Sequence, residues 1–110
     1  MLIVAVVFEF APGGFDRCKE SITHAIENSR KEPGAQIYDW AIDVTESNRA
    51  IIFEVWDDQA ALDAHFTHPY MDTMVAALSE ANIRGDIVSY SADIYDVSGK
   101  RDMGFVLPTE

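Results

Sequence analysis

Residues 49–74 read RAIIFEVWDDQAALDAHFTHPYMDTM, and the change of period inside that stretch decides the fold. From Ala50 to Trp56, β-branched and aromatic residues dominate, which is the composition of a strand. Asp57 and Asp58 follow, and either carboxylate can cap a helix by accepting from an orphan N–H two or three residues on. Leu62, His65 and Phe66 then stand at i, i+3 and i+4, on one helical face. Pro69 stops that helix, because it has no N–H and disfavours helical backbone at His68. A strand ending in tryptophan thus turns directly into a helix whose inward face carries a histidine, a way to build a pocket with one titratable group.

Upstream, Leu2 to Phe10 reads as the first strand, broken by Pro12-Gly13-Gly14. Phe15, Cys18, Ile22, Ala25 and Ile26 mark one face of a helix that ends at Glu32-Pro33-Gly34. Gln36 to Val44 is the second strand, and Thr45 to Asn48 is a polar hairpin loop leading into the third. Past Pro69, a further helical piece carries Met71, Met74, Val75 and Leu78 on one face as far as Arg84-Gly85, and Ile87 to Val97 is the fourth strand. The order β-α-β-β-α-β is the ferredoxin-like α+β arrangement, a four-stranded antiparallel sheet with helices on one face. Residues 1–97 form this domain. Residues 98–110 are a tail whose Phe105-Val106-Leu107 cluster is expected either to contact a partner subunit or to hang loose.

A sheet face left bare should alternate apolar with polar residues, and here neither face does. Strand one puts Leu2, Val4, Val6, Phe8 and Phe10 on one side and Ile3, Ala5 and Val7 on the other. Covering five side chains of that kind is worth on the order of 1.5–3 kcal/mol each. The simplest cover is the same sheet from a second copy, so a homodimer is expected.

Eight basic against nineteen acidic residues give a net charge of −11, which disfavours nucleic acid and anionic membranes as partners. No run approaches the roughly 18–20 apolar residues that span a bilayer. The apolar first ten residues lack a basic n-region, so they read as a strand and not a signal peptide, with a cytoplasmic location as the default. One cysteine and three histidines, without CxxC or HExxH, carry no zinc signature. Neither GxGxxG nor GxxxxGK[ST] occurs, and Gly13-Gly14 is simplest as a tight turn.

Glu32-Pro33-Gly34 through Asp39, Asn48-Arg49, the strand Ile52–Trp56, Ala60 to Phe66 and Pro69-Tyr70-Met71 together resemble the antibiotic biosynthesis monooxygenase (ABM) family, over about residues 2–97. The resemblance implies a dimeric α+β barrel, in agreement with the covered-sheet expectation. It also implies a choice among cofactor-independent quinol or anthrone monooxygenases, haem-degrading enzymes, an isomerase and domains of no assigned activity. In monooxygenase-like members the Ala-His seen here as Ala64-His65 faces a cavity between helices and sheet. Many members have histidine directly after the proline, where this chain has Tyr70. The iron-ligating histidine of the haem-degrading branch matches Val75, which cannot bind iron, so no cofactor is expected.

A cofactor-free oxygenase uses an electron-rich phenol or quinol as its own reductant, and its protein must take a proton, exclude water and hold the resulting anion near O₂. His65 is the base expected for this, since an ordinary imidazole titrates near 6.5. Glu54 shares strand parity with Trp56 and is expected to enter the same cavity and orient His65. Trp56 is expected to stack a planar substrate and to offer its indole N–H to a carbonyl oxygen. Tyr38 and Trp40 would wall the pocket together with Phe66, and Tyr70 would donate a hydrogen bond. A plainer reading stands beside each assignment. His65 reads also as a core histidine, the tryptophans as packing, and Glu54 as a cross-strand partner of Arg49 or Lys31. Two functions therefore stay open: a monooxygenase of a small aromatic or quinone-like molecule, and a non-catalytic dimeric domain that binds a small ligand or serves in stress.

Overall fold

Nine residues with a single acid among them, as in β1 (Leu2–Phe10), are stable only with strands on both edges. β1 has that place in the sheet, whose order is β2-β3-β1-β4. The computed structural model describes residues 1–109. Along the chain follow α1 (Gly14–Ser29), β2 (Ala35–Asp43), β3 (Glu46–Trp56), α2 (Gln59–His65), α3 (Pro69–Arg84) and β4 (Ile87–Asp96). β1 pairs antiparallel with both β3 and β4, and β2 with β3. The expected ferredoxin-like α+β architecture is the one observed, with the second helical region divided in two.

Local chemistry explains the division and the shifted boundaries. Asp58 is the N-cap of α2, its Oδ1 accepting from Ala61 N–H at 2.8 Å. His68 adopts extended backbone as the N-cap of α3, and Pro69 takes the first helical position, where its missing N–H costs nothing. The loop expected over Thr45–Asn48 is shorter than the sequence suggested. Asp43 Oδ1 accepts from the Thr45 N–H at 2.8 Å and from its hydroxyl at 2.7 Å, closing the turn at Val44-Thr45, so β3 starts at Glu46.

Two glycines permit close approaches that set the frame of the site. A Cβ on Gly14 would lie 2.6 Å from the Asp86 carbonyl oxygen, so the start of α1 sits directly on the turn after α3. Gly34 has φ +85°, and a Cβ there would meet the Ala61 Cβ at 2.6 Å. The turn after α1 is thereby pressed against α2, which brings Glu32 beside residues more than thirty positions away.

The helices lie on the even-numbered side of the central strands. Leu2 and Phe10 are buried there with Ala50, Ile52 and Trp56. The helices thus lie over this row of β1, burying its ends and leaving Val4, Val6 and Phe8 half-buried beneath them, a correction to its use as the face needing a partner. The helix-free face carries Ile3, Ala5 and Val7, next to Val55, Phe53 and Ile51 in register. Ile37, Ile51 and Phe53 are each 37–41% exposed. In the tail, Phe105, Val106 and Leu107 are exposed; Glu110, its last residue, lies outside the described residues. Among the described residues no helix is long and apolar enough to cross a membrane.

Candidate functional site

Between the sheet and α2 and α3 lies a cavity of about 460 Å³. β1 contributes Val4, Val6 and Phe8 to its floor, and β2 contributes Tyr38 and Trp40. Glu54 and His65 are its inner polar groups, while Phe66, Val75 and Tyr90 stand toward solvent, 56%, 47% and 65% exposed. Size and lining are those of a site for a small, mainly apolar molecule.

His65, the last residue of α2, is completely buried. Its ring packs on Trp56 at 4.6 Å and near Tyr38 at 5.3 Å between centroids. Its Nδ1 lies 2.7 Å from Glu32 Oε2. Its Nε2 has no hydrogen-bond partner among the described residues. An ionised Glu32 only accepts, so Nδ1 carries the proton and Nε2 the lone pair. Burial lowers the His65 pKa, while the hydrogen bond and charge of Glu32 oppose that shift.

Glu32 is the residue of this cluster that the sequence reading missed. By pattern it only ends a helix, yet in the fold its carboxylate is hydrogen-bonded by two side chains and approached by a third. Besides His65, Oε2 accepts from the Tyr70 hydroxyl at 2.5 Å, and Oε1 lies 3.3 Å from His68 Nε2. His68 stacks on Tyr70 at 4.9 Å, and its side chain is 38% exposed, so the cluster runs from the cavity wall to the surface. Tyr70 does donate a hydrogen bond, but to Glu32, and it stands outside the cavity lining.

Glu54 does enter the cavity, yet it does not orient His65. Its Oε1 accepts from Trp56 Nε1 at 2.9 Å, and the orienting carboxylate belongs to Glu32. Burial pushes Glu54 up to about 7, against the Trp56 N–H, which favours the ionised form; the negative charge of Glu32 adds to the rise. The ion pair with Arg49 is absent too, because Arg49 Nη1 is bonded to Asp43 at 2.9 Å.

Of the two tryptophans, Trp40 lines the cavity, the place its strand face gave it, whereas Trp56 does not reach it. Trp56 is fully buried beneath His65, its N–H is taken by Glu54, and it is not among the lining residues, so no platform for a ligand is presented. Trp40 does line the cavity, and its Nε1 has no partner among the described residues. Strand parity gives both the same face; depth beneath α2 separates them.

Cys18 is buried in the core with Met71 and Met74, although both methionines also reach the cavity. His24 is on the exposed side of α1, beside Asn28. Among the described residues no group of three or more His, Cys, Asp or Glu is arranged to hold a metal ion.

The sequence pattern of the family described as antibiotic biosynthesis monooxygenase matches residues 1–77. A Synechocystis protein designated sll1783 is 50% identical over 50 residues, which make up 46% of this chain and 34% of that one, so the match spans about a third of that relative's length. Solved structures share the fold at low identity. A Deinococcus radiodurans protein provisionally described as an antibiotic biosynthesis monooxygenase superposes with a TM-score of 0.79 at 18% identity, covering 94% of this chain and 98% of its own. One from Nitrosomonas europaea with the same provisional description gives 0.78 at 17%, covering 90% and 100%. Rv0793 from Mycobacterium tuberculosis gives 0.77 at 18%, covering 92% and 98%.

Proposed function

The chain belongs to the antibiotic biosynthesis monooxygenase family, and from that premise we propose that it is a cofactor-independent monooxygenase of a small hydroxylated aromatic, with His65 as base. The observation that carries this is the state of His65, a residue of the cavity lining whose Nδ1 is held by Glu32 and whose buried Nε2 has no partner among the described residues. Nε2 takes the proton of a ligand hydroxyl, and the electron-rich anion left behind reduces O₂. With a hydroquinone, one oxygen atom enters the ring as a hydroxyquinone and the other leaves as water, so no outside reductant is required. Glu32 holds the ring and stabilises the imidazolium that forms. Trp40 and Tyr38 flank the ring of the ligand, Trp40 Nε1 serves a carbonyl oxygen, and Phe66 shields the outer end.

The test is oxygen uptake with a panel of hydroquinones. His65→Ala is expected to lose about 10²-fold or more, the scale of general-base catalysis. Equal rates in the two proteins would remove His65 as the base. A second reading, a dimeric domain that holds a small ligand without changing it, draws on the seclusion of Nε2, which water does not reach in this conformation. Ligand binding with no oxygen uptake by any panel member would favour it.

Two copies are proposed to pack helix-free face on helix-free face, burying Ile3, Ile37, Ile51 and Phe53, with residues 98–109 reaching the partner. Sedimentation should give a dimer that Phe53→Lys disrupts. A wild-type protein that stays monomeric at high concentration would refute this packing.

A further inference from the structure

The proposed base leaves unexplained an electrostatic bias in the cavity. None of the residues lining it is a lysine or arginine, and the chain carries a net charge of −11. Two acids line it, Asp93 at the exposed end and Glu54 at depth; Glu54 is 7% exposed and has one hydrogen bond, from Trp56 to Oε1, while Oε2 has none among the described residues. Of the cations on the neighbouring strands and turn, Arg49 is held by Asp43 and Arg30 by Asp39, and Lys31 is exposed and outside the cavity lining. Across the β2–β3 register Glu54 faces Tyr38, not a base.

We infer that Glu54 is the specificity-determining group of this cavity: it admits flat aromatic ligands that present a hydrogen-bond donor and turns away those with a carboxylate or other fixed negative charge. A ligand O–H or N–H answers the free Oε2. A ligand carboxylate would lie against Glu54 in apolar surroundings with no cation in the wall, where like charges repel more strongly than in water. A hydroxyl is accommodated in either state of Glu54, because the acid form donates to the hydroxyl oxygen. Burial of the carboxyl, which holds its pKa near 7, agrees with a site that supplies no counter-charge. This deepens the proposed function by defining its substrate class, and it rests on the cavity as the ligand site, not on His65 as the base.

The experiment is anaerobic calorimetry on the whole chain at pH 8 with two ligands on one frame, 2-naphthol and 2-naphthoate. Naphthol is expected to bind, and naphthoate to bind about tenfold more weakly or worse, the factor carried by one unfavourable charge contact worth about one pKa unit. Glu54→Gln, which keeps an acceptor for Trp56, should restore most of the naphthoate affinity, whereas His65→Ala should keep the gap. Equal binding of the two ligands by wild type, or no binding of either, overturns the inference. So does a gap that persists in folded Glu54→Gln but vanishes with added salt, which would assign it to net charge. Absence of oxygen uptake would sink the catalytic reading and leave this ratio untouched.

Discussion

Asp86 and Glu54 are equally buried, 7% exposed each, yet their protons are pushed in opposite directions. Asp86 sits where α1 meets the turn after α3. Arg17 reaches it with Nε at 3.0 Å and Nη2 at 2.8 Å, and Arg84 adds Nη2 at 3.0 Å. The Arg17 hydrogen bond, then that of Arg84, hold its carboxyl down at about 2, against the effect of burial. Glu54 has only a neutral indole and is pushed up to about 7. A carboxylate that receives two guanidinium groups is a clasp, its charge neutralised where it stands. One that is buried without a cation is unfavourable for folding, and retention of such a group at a cavity wall is the mark of a group that meets a ligand. Glu32 is a third arrangement, with two hydrogen-bonding partners, His68 nearby and no arginine.

The largest expected effect tests that third arrangement. In Glu32→Gln the carboxylate oxygen that holds both His65 and Tyr70 becomes a neutral amide oxygen, and the new NH₂ group lies toward His68. We expect kcat for the oxygen-consuming reaction to fall about 10²-fold with KM nearly unchanged, since Glu32 acts through His65 and touches no ligand. Nitrogen chemical shifts of His65 should show the proton leaving Nδ1 in part of the population. An unchanged rate and tautomer would place Glu32 with Asp86 as structure only.

Asp86→Asn should do the reverse. The melting temperature is expected to fall by several degrees at neutral pH, because Arg17 and Arg84 lose their shared partner, while activity per folded molecule stays the same. The folded pKa is depressed, so the contribution of the clasp is present above the unfolded value of 3.8 and is lost as pH falls toward about 2. The difference in melting temperature between wild type and variant should therefore shrink across that window. A variant that melts like wild type at pH 7 would deny the clasp any role.

The clasp and the cavity were unequally legible. Periodicity alone placed the strands and helices, because apolar spacing of 2 and of 3.6 is written locally. It put His65 on the inner face, where the fold has it. Glu32 could not be found that way, since its partners are at positions 65, 68 and 70, and Gly34 brings them together through contact with Ala61. A glutamate just before Pro-Gly reads as the end of a helix and nothing more. The misplacement of Trp56 has a similar origin: parity reports which face a side chain takes, but not whether a helix covers it. Arg17 and Arg84 gave no sign of sharing Asp86, because 67 residues separate them along the chain.

The last expected effect is the sharpest test of the contrast between the two acids. Glu54 is raised from 4.5 unfolded to about 7 folded, so between those values the unfolded chain releases a proton that the folded chain retains. Its contribution is complete below 4.5 and is lost as pH rises through about 7. Glu54→Gln lacks that slope and keeps the Trp56 bond. The variant should thus match wild type in stability near pH 4.5 and exceed it at pH 8, by up to about 3 kcal/mol at about 1.4 kcal/mol per pKa unit. His65 slopes the other way, because its depressed pKa removes stability as pH falls below 6.5, so wild type alone shows a dome that hides both groups. The difference between the two proteins cancels the histidine and leaves Glu54. A constant offset from pH 4.5 to 8 would mean that Glu54 is ionised throughout, and it would then join Asp86 as a carboxylate whose charge the fold accommodates.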